Sequence, residues 1–230
     1  MKHTLPMAQS KHTLPIFPLI CLFTIATGAS TIPALAEDIS IEGWISTSQD
    51  KPVANVNVKV WRQCKVIQSA TTDKDGHYSI YAVEGAPIDS ITFDPPDITL
   101  YGPGAIDHLS GKRSQKIGAV LFDSGELAKI ITAAVEGRAT NVSPLVGQAN
   151  QLKRVMSLES GAGASKEKLK QYATFAEKLA KQGADAEKKA RGVDIGVPKK
   201  GNADGTKTEA QYNRETAENV LQELGNVTVK

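Results

Sequence analysis

The chain has 230 residues, 27 Lys+Arg against 25 Asp+Glu, and two cysteines. A charge this balanced gives no general attraction for nucleic acid. Two cysteines exclude a multiply stapled disulfide scaffold, so the core must hold by packing.

Residues 1–36 have the anatomy of a secretory signal peptide. Lys2 and Lys11 make a positive start, no Asp, Glu, Lys or Arg follows from His12 to Ala36, and Ala34-Leu35-Ala36 precedes the acidic pair Glu37-Asp38. Cleavage is expected between Ala36 and Glu37, placing the protein outside the cytoplasm, periplasmic or secreted. The competing reading is an uncleaved anchor, because the apolar run 16–36 approaches the roughly 20 residues that span a bilayer; Pro33 and the Ala-x-Ala pattern favour cleavage and leave no stable span. Cys21 is not a lipoprotein cysteine, since Ile20 stands where a small residue is needed. The pentapeptide Lys-His-Thr-Leu-Pro occurs at 2–6 and again at 11–15, which makes Met7 an alternative start. Losing the signal leaves equal numbers of acids and bases and one thiol, Cys64, expected as a small buried or half-buried residue, with an intermolecular bridge as the alternative. Charge is uneven along what remains: residues 37–123 carry a net −4 and residues 124–230 a net +4.

From 39 to 122 the hydrophobic period is two. Ile39, Ile41 and Ile45 alternate with Glu42 and Trp44; Gln49-Asp50-Lys51-Pro52 makes a turn; Val56, Val58 and Val60 alternate with Asn57, Lys59 and Trp61. A third strand over 66–72 meets a fourth over 77–83 through the tight turn Asp73-Lys74-Asp75-Gly76, with Tyr78 and Ile80 inward. Residues 90–93, 98–101 and 116–122 complete seven strands in about 85 residues, a normal size for a two-sheet sandwich.

Three stretches carry a resemblance: Ile41-Glu42-Gly43-Trp44-Ile45; Lys51-Pro52-Val53-Ala54-Asn55-Val56-Asn57-Val58; and Thr71-Thr72-Asp73-Lys74-Asp75-Gly76-His77-Tyr78-Ser79-Ile80. An opening strand, a Pro-led turn into a second strand and a Thr-Asp-x-x-Gly-x-aromatic hairpin resemble the carboxypeptidase regulatory-like domains of the transthyretin-like (prealbumin-like) superfamily, over residues 38–123. The resemblance implies a mainly β N-terminal module, a seven-stranded antiparallel sandwich of Greek-key type, and a non-catalytic role. Its motif residues build turns and core, so it speaks for fold rather than function.

No catalytic or metal-ligating set accompanies it. Asp73-x-Asp75-Gly76 invites a calcium reading with Glu84 twelfth, but the sixth position is Tyr78 where a calcium loop needs Gly, and the flanks are strands. After the signal only His77 and His108 remain, neither in a His-x-x-Glu pair, too few for a zinc or iron centre. The superfamily's 5-hydroxyisourate hydrolases end in Tyr-Arg-Gly-Ser, whereas this chain ends Val227-Thr228-Val229-Lys230; the superfamily's intradiol dioxygenases need two Tyr and two His on iron. No Gly-x-Ser-x-Gly elbow or phosphate-cradling loop is found. Both histidines read as bystanders, no cofactor is called for, and an enzyme ranks third among the readings.

One constellation remains. Trp44, Trp61 and Tyr81 fall on the polar-alternating side of their strands and should point away from the inter-sheet core. Exposed aromatics of this kind stack on sugar rings or anchor a protein. The competing reading is that a loop or the C-terminal helices cover them.

After Asp123-Ser124, a cap pair, the period becomes 3.6: Leu127, Ile130, Ile131, Ala134 and Val135 share a face that Gly137 ends. Ser143 is expected to cap a second helix with Pro144 at its first position, and Leu145, Ala149, Leu152, Val155 and Met156 lie on one side. Ser160-Gly161-Ala162-Gly163 breaks before a long Lys/Glu/Ala helix over 166–191, whose stripe is Leu169, Tyr172, Ala173, Ala176, Leu179 and Ala180. Residues 124–192 are thus a helical region, 193–207 a linker, and Thr208 caps a last helix over 208–225. Large apolar residues are few, so a thin bundle dependent on a partner is expected. Eight bases against four acids over 166–191 suit an acidic polymer or membrane surface, or more simply a solvated face. Asn141-Val142-Ser143 and Asn226-Val227-Thr228 are glycosylation sequons, relevant only in a eukaryote. The expected function is an exported non-enzymatic binding or structural module, its sandwich facing a protein or glycan of the cell envelope. An envelope scaffold that acts or self-associates through its helices is the alternative.

Overall fold

A computed structural model describes residues 39–83, 87–107, 109, 114–191 and 207–227. All lie within one compact unit, Leu35–Lys230. The strands are β1 (Ile39–Thr47), β2 (Asn57–Arg62), β3 (Lys65–Thr71), β4 (His77–Val83), β5 (Ser90–Asp94), β6 (Gly104–Asp107), β7 (Ser114–Lys116) and β8 (Ala119–Leu121). The helices are α1 (Ser124–Val135), α2 (Ser143–Gly161), α3 (Lys166–Arg191) and α4 (Glu209–Gly225).

The strands form two four-stranded sheets. One runs β4-β1-β7 with β8 continuing the edge beside β1; the other runs β3-β2-β5-β6. Alternating side chains of both sheets meet between them, where Ile41, Ile45, Val58, Val60, Ile91 and Phe93 are fully buried. This corrects the expected seven-stranded antiparallel sandwich in two ways. The described strands number eight, and β1 pairs parallel with both β7 and β8.

The last expected strand is split because its middle crosses over Gly43. The Ile117 N–H donates to the Glu42 carbonyl at 2.8 Å, and a Cβ on Gly43 would stand 1.8 Å from the Ile117 carbonyl oxygen. Only glycine leaves room for that backbone. The strand expected at 98–101 is a turn instead. The Asp97 carboxylate accepts from Thr99 N and Thr99 Oγ1 and from Leu100 N, closing the chain locally and delaying the strand to Gly104.

The β2–β3 turn departs from expectation at Cys64, which is exposed. Gln63 and Cys64 occupy the two central positions of a two-residue hairpin, both left-handed, at φ 48° and 57°. Such turns favour Asn-Gly, and a turn tip cannot be buried.

Helix boundaries follow their caps. Asp123 accepts from Glu126 N at 2.7 Å, Gly137 takes φ 68° after α1, and Thr208 forms a reciprocal capping box with Gln211. The bundle is thicker than its composition suggested. Leu127, Ile131, Leu145, Leu152, Tyr172 and Phe175 are fully buried in a second core, which Ile98 joins from the β5–β6 connection.

Between the second sheet and the helices lies a polar seam. Lys59 pairs with Glu159 and Lys168 with Asp94. The Tyr172 hydroxyl donates to Asp94 at 3.2 Å, and Arg154 donates to Asp107 at 2.9 Å and to Ser90 at 2.8 Å. All five residues of β5 are buried, one face by the sandwich core and the other by the seam. Among the described residues no helix is long and apolar enough to cross a membrane.

Candidate functional site: the outer face of the first sheet

With the second sheet covered by helices, the outer face of the first is left uncovered by the described residues. Strand register fixes which side chains stand beside one another on it. Trp44 lies opposite His77 across β1 and β4, and the next outward rung sets Glu42 opposite Ser79 and beside Lys116 of β7. Directly opposite side chains in such a ladder are within contact range, with Cβ atoms about 5 Å apart. On its other side Trp44 meets Gly118. A Cβ there would lie 3.3 Å from Cε2 and 3.4 Å from Nε1 of the indole, so the bare glycine forms a shelf for one edge of the ring.

Tyr81 occupies the third rung. The register between β1 and β4 shifts between Ile39 and Ile41, so β4 carries an extra residue there, and a bulge of this kind re-aims its side chains. The Tyr81 hydroxyl donates to Glu42 Oε1 at 3.1 Å. Trp44 is 51% and Tyr81 58% exposed. A shallow groove of about 170 Å³ runs between the rungs, lined by Glu42, Gly43, Trp44, His77, Ser79 and Lys116.

Two local features hold the face in place. The Asp73 carboxylate accepts from the N–H groups of Asp75 and His77, each at 2.9 Å, which sets the turn from which His77 starts β4. The His77 N–H is the main cause holding the Asp73 carboxyl below its ordinary range, partly opposed by desolvation. Beneath the face, the Tyr78 hydroxyl donates to the Ile117 carbonyl at 2.8 Å; burial pushes that phenol up, out of any physiological titration.

Trp61 does not belong to this surface, and its expected exposure is corrected. Its direction agrees with strand parity, away from the inter-sheet core, but the helices dock on that side. The ring is fully buried, its Nε1 donates to Thr92 Oγ1 at 2.7 Å, and the Lys59 ammonium sits 5.8 Å from the ring centroid. His77 is exposed at the start of β4. His108 and the cleavage pair Ala36 and Glu37 lie outside the described residues.

Glu42, Ser79 and Lys116 join the aromatics without having been singled out as surface residues, as does His77, which was expected in solvent but only as a bystander. Parity along β1 and β4 contained the signal for Glu42, His77 and Ser79; Lys116 needed the parallel pairing of β7. Among the described residues no three His, Cys, Asp or Glu side chains stand close enough to hold a metal ion. In the Asp73 turn one carboxylate oxygen, Oδ1, accepts both backbone N–H groups. A larger, mostly apolar hollow of about 490 Å³ flanks α1 at Ala128, Lys129, Thr132, Ala133 and Arg138, and it gathers neither aromatic rings nor carboxylates. The outer face of the first sheet can stack on a planar or ring-shaped ligand and hydrogen-bond it, with both an acceptor carboxylate and an ammonium in reach.

No family model matches the chain, and no curated protein matches it in sequence. Among solved structures, a streptococcal ancillary pilin is similar at a TM-score of 0.27 and 12% identity, over 37% of this chain and 32% of its own. A likeness that slight carries no argument about what this chain does.

Proposed function

We propose that the protein is an exported, non-enzymatic binding module, a sandwich of the carboxypeptidase regulatory-like kind whose β4-β1-β7 face engages a carbohydrate or protein of the cell envelope. The supporting observation is the pair Trp44 and Tyr81, about half exposed on one sheet face and separated by the polar side chains of Glu42, Ser79 and Lys116. Two large aromatics on one sheet face, each with an apolar ring and a polar tip, can stack on a ring-shaped ligand or anchor a partner. The test uses purified protein on isolated envelopes of the source cell. Wild type is retained, and a Trp44→Ala/Tyr81→Ala double variant with an unchanged circular dichroism spectrum is not. Equal retention of the two would overturn the reading, as would substrate turnover by the purified protein.

A second reading, association through the helices, has one observation in its favour: Tyr212 is 63% exposed on α4. Deleting the helices would not separate the two readings, because it would uncover Trp61 and strip Asp94 of its partners. Tyr212→Ala does separate them, since the sandwich reading expects envelope retention to survive that change.

A further inference from the structure

Resting on the reading that the β4-β1-β7 face is the binding surface, we infer that its ligand is a neutral, extended oligosaccharide. It lies along β1, with one sugar ring over Trp44 and another over Tyr81.

The arrangement of polar and apolar groups favours a sugar chain over a protein. Protein interfaces have an apolar centre depleted of charge and a polar rim. This face is the inverse. Its middle rung is Ser79, Glu42 and Lys116, and the aromatic rings stand on the rungs to either side. A pyranose presents an apolar C–H face and a girdle of hydroxyls. Rings that stack and a central row of donors and acceptors meet both needs, and Tyr and Trp offer that contact at little cost in side-chain entropy.

Charge narrows the class. Among the described residues these rungs carry one carboxylate and one ammonium, Glu42 and Lys116, as register neighbours. They offset each other, so the described rungs have no net attraction for a polyanionic glycan.

Length narrows it further. The backbones of Trp44 and Tyr81 are two outward rungs apart, about 13 Å along the strand at the usual rise per residue, and the Tyr81 ring leans back only as far as the middle rung, where its hydroxyl meets Glu42. One sugar ring is too short to lie under both, so both aromatics are engaged only by a chain of more than one sugar. The groove beside Trp44, about 170 Å³ and lined from Trp44 to Lys116 without Tyr81, is far smaller than the roughly 300 Å³ or more of an enclosing small-molecule pocket. An extended ligand lying across it is the better fit.

Trp44 is the only exposed tryptophan, since Trp61, the other of the two among the described residues, is fully buried. A ligand-dependent change in indole emission therefore reports the Trp44 site over the contribution of Trp61, which Trp44→Ala measures separately. The purified full chain is titrated with neutral linear oligosaccharides of glucose, xylose and N-acetylglucosamine, from disaccharide to hexasaccharide. At least one series is expected to shift the emission saturably, the hexasaccharide binding about tenfold or more tighter than the disaccharide. Isothermal titration of the variants completes the test. Trp44→Ala abolishes binding; Tyr81→Ala keeps the disaccharide but loses the gain with length; Gly118→Ala, which crowds the indole, weakens both. Sugar binding that survives Trp44→Ala overturns the placement. If no sugar binds while envelope retention still depends on Trp44 and Tyr81, the saccharide inference falls and the binding face stands. If that dependence is absent as well, both fall.

Discussion

Trp44 and Trp61 share strand parity but differ in what their sheets meet on the outer side. One indole borders Gly118 and water; the other is sealed beneath helices, its N–H on Thr92. Trp61→Ala should therefore cost about 3–5 kcal/mol, from a cavity and a stranded hydroxyl partner. Trp44→Ala should stay within about 0.5 kcal/mol, as surface changes do. Urea denaturation of the two variants measures the contrast, and comparable losses would contradict the burial described. The directions of both rings were legible, because parity is a local property of a strand. Their coverage was not. The outer residues of β2, Asn57, Lys59 and Trp61, are as polar as those of β1, and only the docking of α2 and α3 distinguishes the two faces. Asp73 adds a pH dependence at the same scale. Its carboxyl is depressed below the ordinary 3.8, so its contribution is complete above the unfolded value and is lost as pH falls through the folded one. Protection of the His77 amide, its exchange relative to the intrinsic rate at each pH, should fall below that range in wild type, and Asp73→Asn should remove the acid dependence.

At the scale of elements, the helices were the more legible part. Asp123, Gly137 and the Thr208–Gln211 box mark ends by side-chain or backbone bonding within a few residues, so local sequence suffices. The cap expected from Ser143 does not form, because α2 already includes Ser143 and Val142 before it makes no side-chain cap bond. The strands after β5 were less so. Asp97 replaced an expected strand by folding its carboxylate onto Thr99 and Leu100, and the break between β7 and β8 depends on Gly43, more than seventy positions earlier. That long-range dependence yields a test. A methyl group at Gly43 would have to displace backbone rather than a flexible side chain, since the obstacle is the Ile117 carbonyl at 1.8 Å. Gly43→Ala should destabilise by about 3 kcal/mol through overpacking, and it should disturb the Trp44 rung, whose neighbours Gly118 and His77 are placed by the same strands. The measurements are a denaturation midpoint and the intensity of Trp44 emission. A variant of wild-type stability would show that Ile117 does not cross there.

The whole molecule joins an acidic sandwich to a basic helical layer, and the opposite charges of the two halves are partly spent on each other in the seam. Among these pairs Lys168–Asp94 lends itself to dissection, because its partners are unequally buried: Asp94 retains 6% side-chain exposure and Lys168 29%. Removing Asp94 leaves an ammonium that can swing into water. Removing Lys168 leaves a buried carboxylate with only the Tyr172 hydroxyl to satisfy it. Tyr172 stays a neutral donor, because burial first, and then Asp94 and Glu159, push its phenol upward. Lys168→Met should therefore cost more, about 3 kcal/mol, than Asp94→Asn, about 1 kcal/mol. The double variant should recover part of the Lys168→Met loss, since the uncompensated charge is gone. A double-mutant cycle in urea, with Trp61 near-ultraviolet dichroism reporting whether the helices remain docked, measures both the coupling and where it acts. Equal losses for the single variants would mean that water reaches Asp94, and the seam would then be a solvated contact rather than the layer that seals Trp61.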